Sequence, residues 1–164
     1  GLSGGRFDLP ARWPWFSPVL ASVVELLAVW TWHLPALRAL SESSAAAAAL
    51  EQVTFLAAGL FLWLSCLGGM EAGRSGRRMA GAFGLLFTSM HMTLLGALLA
   101  LSPRPLYGTA EVTCFGVTLS PVVDQQAGGV IMLLVGAAVY LAGGVSLLAT
   151  TLNGPLDELA RRKG

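Results

Sequence analysis

The chain has 164 residues, of which 55% are hydrophobic and only 12% are charged, and its mean hydropathy is +0.70. A soluble domain carries about 25% charged residues, and a protein this small has too much surface for its volume to hide so many apolar side chains from water. The composition therefore excludes a soluble globular domain and predicts an integral membrane protein. The net charge of +1 leaves no basic face for nucleic acid.

Four windows are apolar enough to cross a bilayer, which takes about 20 residues of helix. Ser17 and Pro18 are typical of a helix cap and first turn, and breaks that contain glycine or proline follow the other three windows. We expect each span to be unbroken, which disfavours a transporter with broken helices at mid-membrane. The predicted fold is all-α, an integral membrane bundle of about four transmembrane helices. The spans lie at about 17–40, 47–67, 79–101 and 124–152 within one domain, 17–152.

The two ends of the chain differ from this bundle. Residues 1–16 mix tryptophan and phenylalanine with two arginines, which predicts an aromatic and basic segment at the membrane interface. A disordered tail is the alternative. No positive, apolar and small-residue pattern of a signal peptide precedes Ser17. Residues 153–164 are predicted to form a basic tail.

Lysine and arginine in short loops predict the orientation, because cytoplasmic loops are enriched in them. Eight of the ten basic residues lie before the first helix, between the second and third, or after the fourth. Only Arg38 and Arg104 lie on the other side. The N- and C-termini are therefore predicted to be cytoplasmic, and the loops 41–50 and 102–123 are predicted to face outward.

Three side chains that bind metals lie at similar predicted depths. At a rise of about 1.5 Å per residue, His33, His91 and Met132 lie about 10, 15 and 12 Å below the outer ends of their helices. Met90 and Met92 flank His91, and at most one of them shares its face. Imidazole with thioether suits Cu(I), and two histidines on separate helices suit a haem. Packing alone is the third interpretation, because methionine also fills gaps in cores.

Acidic and amide side chains within or at the ends of the spans are further candidates, because polar groups are costly in the bilayer. Glu25 lies deeper, toward the cytoplasmic side, and we expect it to hydrogen-bond to a neighbouring helix; a proton relay is the alternative. Glu51 and Asp124 begin helices, where the helix dipole favours negative charge. That explanation suffices for Glu51, whereas Asp124 and Gln125 belong to a denser polar run.

Three segments carry a family resemblance. They are 30–35 (WTWHLP), 99–107 (LALSPRPLY) with His91 upstream, and 119–132 (LSPVVDQQAGGVIM). In order and spacing they resemble blocks of the CtaG-type cytochrome c oxidase assembly proteins, which mature caa-type oxidases. The resemblance extends from about Trp30 to Leu152, and the chain looks like a divergent member.

The resemblance implies a membrane assembly factor for a haem-copper cytochrome c oxidase that handles copper near the outer face and is not an enzyme. It places the chain in the bacterial inner membrane, with the lipid bilayer and oxidase subunits, or another membrane complex, as partners. Carried over, His33 and His91 are suspected copper ligands, with Asp124, Gln125 and Met132 in the outer-side block.

One departure from the family pattern keeps two alternatives open. Relatives carry histidines at the start of the second helix, whereas this chain keeps Glu51 and Phe55 but has Gln52 where a histidine is expected. Because glutamine is a poor copper ligand, the alternative is a metal-free accessory or structural subunit of a large membrane complex, with no cofactor. A small haem-bearing cytochrome that uses His33 and His91 is the third hypothesis.

Overall fold

A computed structural model of the protein describes residues 17–67, 75–108, 111–114 and 116–163. These residues form an all-α membrane bundle, which confirms the predicted fold class. Three helices are long and apolar enough to cross a membrane, and a fourth span results if one bent pair of helices counts as a single span. The predicted interfacial segment 1–16 lies outside the described residues.

The first predicted span is divided into two helices, α1 (Pro18–Trp32) and α2 (Pro35–Ser43), which are bent by 71° relative to each other. The prediction of an unbroken helix over 17–40 is therefore wrong. Pro35 has no N–H to donate, and its ring disfavours helical geometry at the residue before it. Leu34 accordingly adopts an extended conformation, with φ −67° and ψ 135°. The break falls at His33 and Leu34.

The predicted outer loop 41–50 is mostly helical. α3 (Ala45–Leu67) follows α2 after the single residue Ser44, which is extended and whose hydroxyl accepts the Ala47 N–H at 3.4 Å. The reason is local, because alanine has the highest helix propensity and serine is a favoured N-cap. A tract of five alanines after a serine therefore begins a helix instead of a loop.

α4 (Ser75–Leu101) is the central helix, and it contacts α1, α3 and the whole last span. After it, the segment predicted as the outer loop 102–123 contains a short hairpin of β1 (Val112–Cys114) and β2 (Val117–Leu119). Gly116 turns the hairpin with a φ of +80°, a conformation that glycine adopts without a side-chain clash.

The last span consists of α5 (Pro121–Ile131), a π-helix (Met132–Ala137) and α6 (Ala138–Lys163). It begins earlier than predicted because Ser120 caps it and Pro121 occupies its first turn. Its backbone stays helical beyond residue 152 and through the predicted tail.

The surface of the bundle is that of a protein in lipid. Large apolar side chains face outward on the described helices, among them Phe83, Leu101 and Leu134, which are 72%, 80% and 70% exposed. Inside, two buried apolar clusters hold the helices together. One contains Ala21, Leu62, Cys66, Ala82, Leu85 and Leu147, and the other contains Val29, Leu95 and Leu99.

Candidate functional site

Two adjoining cavities lie where the first span breaks. The inner one, which we call the chamber, has a volume of about 250 Å³, and the outer one, the vestibule, has a volume of about 450 Å³. His33 and Met132 line both. The chamber is lined by Glu25, Val29, His33, Phe55, Ala58, Met92, Met132 and Tyr140. The vestibule includes Arg38, Glu42, Tyr107, Asp124 and Gln125.

The ring of His33 is oriented by the end of its own helix. Its Nδ1 lies 2.7 Å from the carbonyl oxygen of Val29. Because a carbonyl oxygen only accepts, Nδ1 carries the proton and donates it, which leaves the lone pair on Nε2. Histidines that bind metals usually donate their other ring N–H in this way. The ring of Phe55 lies beside it, with centroids 6.2 Å apart.

Two thioether side chains face the chamber with His33. Met132 is the first residue of the π-helix, and Met92 comes from α4. Gly136 gives Met92 its space, because a Cβ at that position would lie 3.0 Å from the Met92 methyl carbon. The π-helix shifts the backbone bonding, and the buried hydroxyl of Ser89 donates to the carbonyl of Ala137 at 2.9 Å. Such π-helices occur frequently at functional sites.

His91 faces Glu25 across the interface of α1 and α4. Its Nε2 lies 2.8 Å from a Glu25 carboxylate oxygen, and both side chains are 4% exposed. The two atoms are in close contact but are not aligned as a hydrogen bond. Within the described residues, His91 Nδ1 and Thr88 Oγ1 are also buried without a hydrogen-bond partner. Such groups cost free energy, which favours a functional explanation over a stabilising one.

Among the described residues that line it, the vestibule carries more acidic than basic side chains. Arg38 pairs with Glu42 at 3.1 Å, and Asp124 lines the same cavity. The hydroxyl of Tyr107 donates to the carbonyl of His33 at 3.2 Å, which ties the loop after α4 to the helix break. Burial raises the pKa of Tyr107, nearby Arg38 lowers it and Glu42 raises it, with a net increase. The phenol therefore remains a donor at neutral pH.

Two of the sequence-derived candidates have a structural role that accounts for them. Gln125 is buried, accepts the Leu106 N–H at 2.7 Å and donates to the Leu99 carbonyl at 3.3 Å. Glu51 is buried and accepts from the Ser41 hydroxyl and from Arg38 at 3.4 Å, which holds α2 against α3.

The structure does not bring His33, His91 and Met132 together, as their similar predicted depths had suggested. His33 and Met132 share the chamber, whereas His91 is directed to Glu25 and is not among the described residues that line the chamber. Glu25 lines it, although we expected it to lie apart. Met92 and Tyr140 were not assigned to a site from the sequence. The positions 25, 29 and 33 follow an i, i+4, i+8 pattern that places them on one helix face, which is how Glu25 is recognisable.

Among the described residues, no group of three or more histidine, cysteine, aspartate or glutamate side chains is arranged to hold a metal ion. A metal in the chamber therefore depends on thioether sulfur. Gln52, which replaces the histidine expected in the family, is exposed on α3 and is not among the described residues that line either cavity.

Comparison with known proteins gives one family. The profile of the cytochrome c oxidase caa3 assembly factors matches residues 8–154, most of the chain. No curated protein and no solved structure matches the chain.

Proposed function

The chain belongs to the cytochrome c oxidase caa3 assembly factor family, and we propose that within this role it holds Cu(I) in the chamber for delivery to the oxidase. The observation that carries the proposal is the geometry of His33. Its Nδ1 donates to the Val29 carbonyl at 2.7 Å, which leaves Nε2 available to coordinate an ion, and two thioethers line the same cavity.

The donor set fits the ion. One imidazole and the thioethers of Met92 and Met132 are soft ligands of the kind that Cu(I) prefers to Mg²⁺ or Ca²⁺. The chamber is too small for a haem macrocycle, which disfavours the cytochrome hypothesis. Compared with the set expected from the sequence, Met92 takes the place of His91, because the His91 ring faces Glu25.

We further propose that the vestibule faces outward, as the distribution of arginine and lysine predicts. With that orientation the copper would be received and released on the outer side of the bacterial membrane. The expected partners are subunits of the haem-copper oxidase. The role requires binding and release but no covalent chemistry by the chain, so we propose that it acts without being an enzyme.

Cu(I) titration of anaerobically purified protein, in competition with a chromogenic chelator, tests the proposal. We expect His33→Ala to weaken binding by more than about 100-fold, since even second-shell changes at metal sites cost about 10–100-fold. Met92→Leu keeps the side-chain volume and should also weaken binding. Met90→Leu is the matched control. Met90 lies on the same helix, next to His91, but its side chain is 62% exposed. Identical titrations of wild type and His33→Ala would exclude copper in the chamber.

The second candidate is a metal-free accessory subunit of the oxidase or of another large membrane complex. It is favoured by the lack, among the described residues, of a cluster of three or more ionisable metal ligands. Under this hypothesis the chain co-purifies with its partner at a fixed ratio, and His33→Ala leaves both the ratio and the copper content of the oxidase unchanged. A lower copper content in oxidase matured with His33→Ala would favour the copper role.

A further inference from the structure

We propose that the vestibule and the chamber are consecutive parts of one access route for a small, soft, monovalent cation, and that His33 and Met132 form the gate between them. This inference rests on the proposed function and adds how its site is loaded. The first observation is geometric. His33 and Met132 are the residues that line both cavities, so the cavities adjoin at these two side chains.

The second observation is that each gate residue stands at an irregularity of its backbone. His33 follows the last residue of α1, where the first span bends by 71°, and Met132 is the first residue of the π-helix in the last span. A helix break and a π-helix both allow local rearrangement that a regular α-helix resists. Both irregularities therefore lie where the vestibule and the chamber adjoin.

The charges along the route favour a cation. The vestibule has Glu42 and Asp124 against Arg38, and Arg38 is also engaged by the buried Glu51 at 3.4 Å. The C-terminal end of α1 points at the gate, and a helix C-terminus carries partial negative charge. Broken helices in membrane proteins use such ends to hold cations.

The inner part of the chamber adjoins buried residues. Tyr140 lines the chamber and packs against the buried cluster that contains Leu62 and Leu85, both 0% exposed. Glu25 lines the chamber on the α1 side. We place both entry and return of the ion at the vestibule, as a holding site requires and a through-channel does not.

Cysteine accessibility in membrane vesicles tests the route. On a background of Cys66→Ala and Cys114→Ser, single cysteines are placed at three positions. Ala58→Cys reports the chamber and Gly128→Cys the vestibule, where a side chain meets nothing within 4 Å. Gly59→Cys, with the same open space but outside both cavities, is the control for access through lipid.

Each variant is treated with Ag(I), a soft monovalent cation, or with a trimethylammonium methanethiosulfonate, which is bulkier. The thiols that remain are then counted with a fluorescent maleimide. We expect both reagents to modify Gly128→Cys from the same side of the membrane. From that side only Ag(I) should modify Ala58→Cys, faster than Gly59→Cys by at least about tenfold, a difference of one decade in rate.

Two opposite changes of the gate sharpen the test. Met132→Phe should slow the Ag(I) reaction of Ala58→Cys without slowing that of Gly128→Cys. Met132→Ala should admit the bulky reagent to Ala58→Cys. Because the rate at Gly128→Cys is measured with the same Met132 substitution, a general loss of folding is seen as a change at both positions.

The outcomes separate this inference from the proposed function. Two results would overturn the proposed gate. One is modification of Ala58→Cys by Ag(I) from the opposite side of the membrane. The other is a ratio of reaction rates between positions 58 and 128 that neither Met132 variant changes. If the gate variants behave as expected while wild type fails to bind Cu(I) in the titration, the access route stands and the copper role falls.

Discussion

Two neighbouring turns of α5 and the π-helix show opposite kinds of packing. At Gly129 the helix touches α4 backbone to backbone, and a Cβ there would lie 2.6 Å from the Ala100 nitrogen and 2.7 Å from the Gly96 oxygen. Three residues later Met132 lines the chamber and the vestibule. Close backbone contact gives membrane helices their adhesion, since lipid provides no hydrophobic drive for association. The tight contact thus fixes the helix whose next turn leaves room for a ligand.

Near the chamber, Glu25 and His91 form the contact whose loss we expect to lower the stability most. Glu25→Ala or His91→Ala removes one member of this buried contact and leaves the other polar side chain without its partner in an apolar surrounding. We expect each single change to lower the free energy of unfolding by about 3–5 kcal/mol. Thermal or SDS-induced unfolding in detergent micelles measures the loss.

The double variant Glu25→Leu with His91→Leu is the control for that prediction. With both polar groups replaced by apolar ones of comparable size, much of the lost stability should return, because no buried polar group is left without its partner. If the two single losses simply add in the double variant, Glu25 and His91 are not coupled, and the contact at 2.8 Å does not contribute to stability.

The tight contact itself is broken by Gly129→Ala. Its Cβ would meet backbone atoms of α4 that cannot move aside, so we expect a loss of about 1–3 kcal/mol, typical of overpacking. Gly128→Ala is the matched control at the adjacent position, since a Cβ there meets nothing within 4 Å. The control should be neutral or slightly stabilising, because alanine favours helix over glycine. Equal losses in both variants would contradict the role assigned to the contact.

Composition and hydropathy were sufficient to predict the membrane bundle, because the bilayer demands long apolar helices whatever their tertiary contacts. Local capping chemistry also located one helix start, at Ser17 and Pro18. Pro35 divides the first span because it restricts Leu34, which a hydropathy window does not register. Ser44 caps the alanine helix within the segment predicted as a loop.

The candidate site was harder to predict because its grouping is a tertiary property. Depth alone placed His33, His91 and Met132 at one level, but depth does not say which way a side chain points around its helix. The rotation of α4 directs His91 to Glu25 and Met92 to the chamber. Hydropathy and helix-capping patterns do not indicate the π-helix that begins at Met132. This π-helix changes the face that the following residues present.

A smaller effect is expected where the chamber depends on the position of a flexible side chain. Gly136→Ala would place a Cβ 3.0 Å from the Met92 methyl carbon, and the thioether must shift by a few tenths of an ångström. We expect the fold to be retained and the Cu(I) affinity to fall by about tenfold, the consequence of about 1.4 kcal/mol. The competition titration measures this, again with Gly128→Ala as the control. An unchanged affinity, together with unchanged binding by Met92→Leu, would exclude Met92 from the ligand set.

The smallest predicted effect concerns the link between the loop and the helix break. Tyr107→Phe removes the hydroxyl that donates to the His33 carbonyl at 3.2 Å, and we expect a loss of about 0.5–1.5 kcal/mol. The pKa of Tyr107 is raised above its ordinary 10.0, chiefly by burial, so the folded protein holds this proton more tightly than the unfolded chain. Its contribution is therefore fully present below pH 10 and decreases as the pH rises further. Unfolding of wild type and Tyr107→Phe should differ by a constant amount from pH 6 to 9, and a difference that already shrinks within that range would contradict the assignment of the donor.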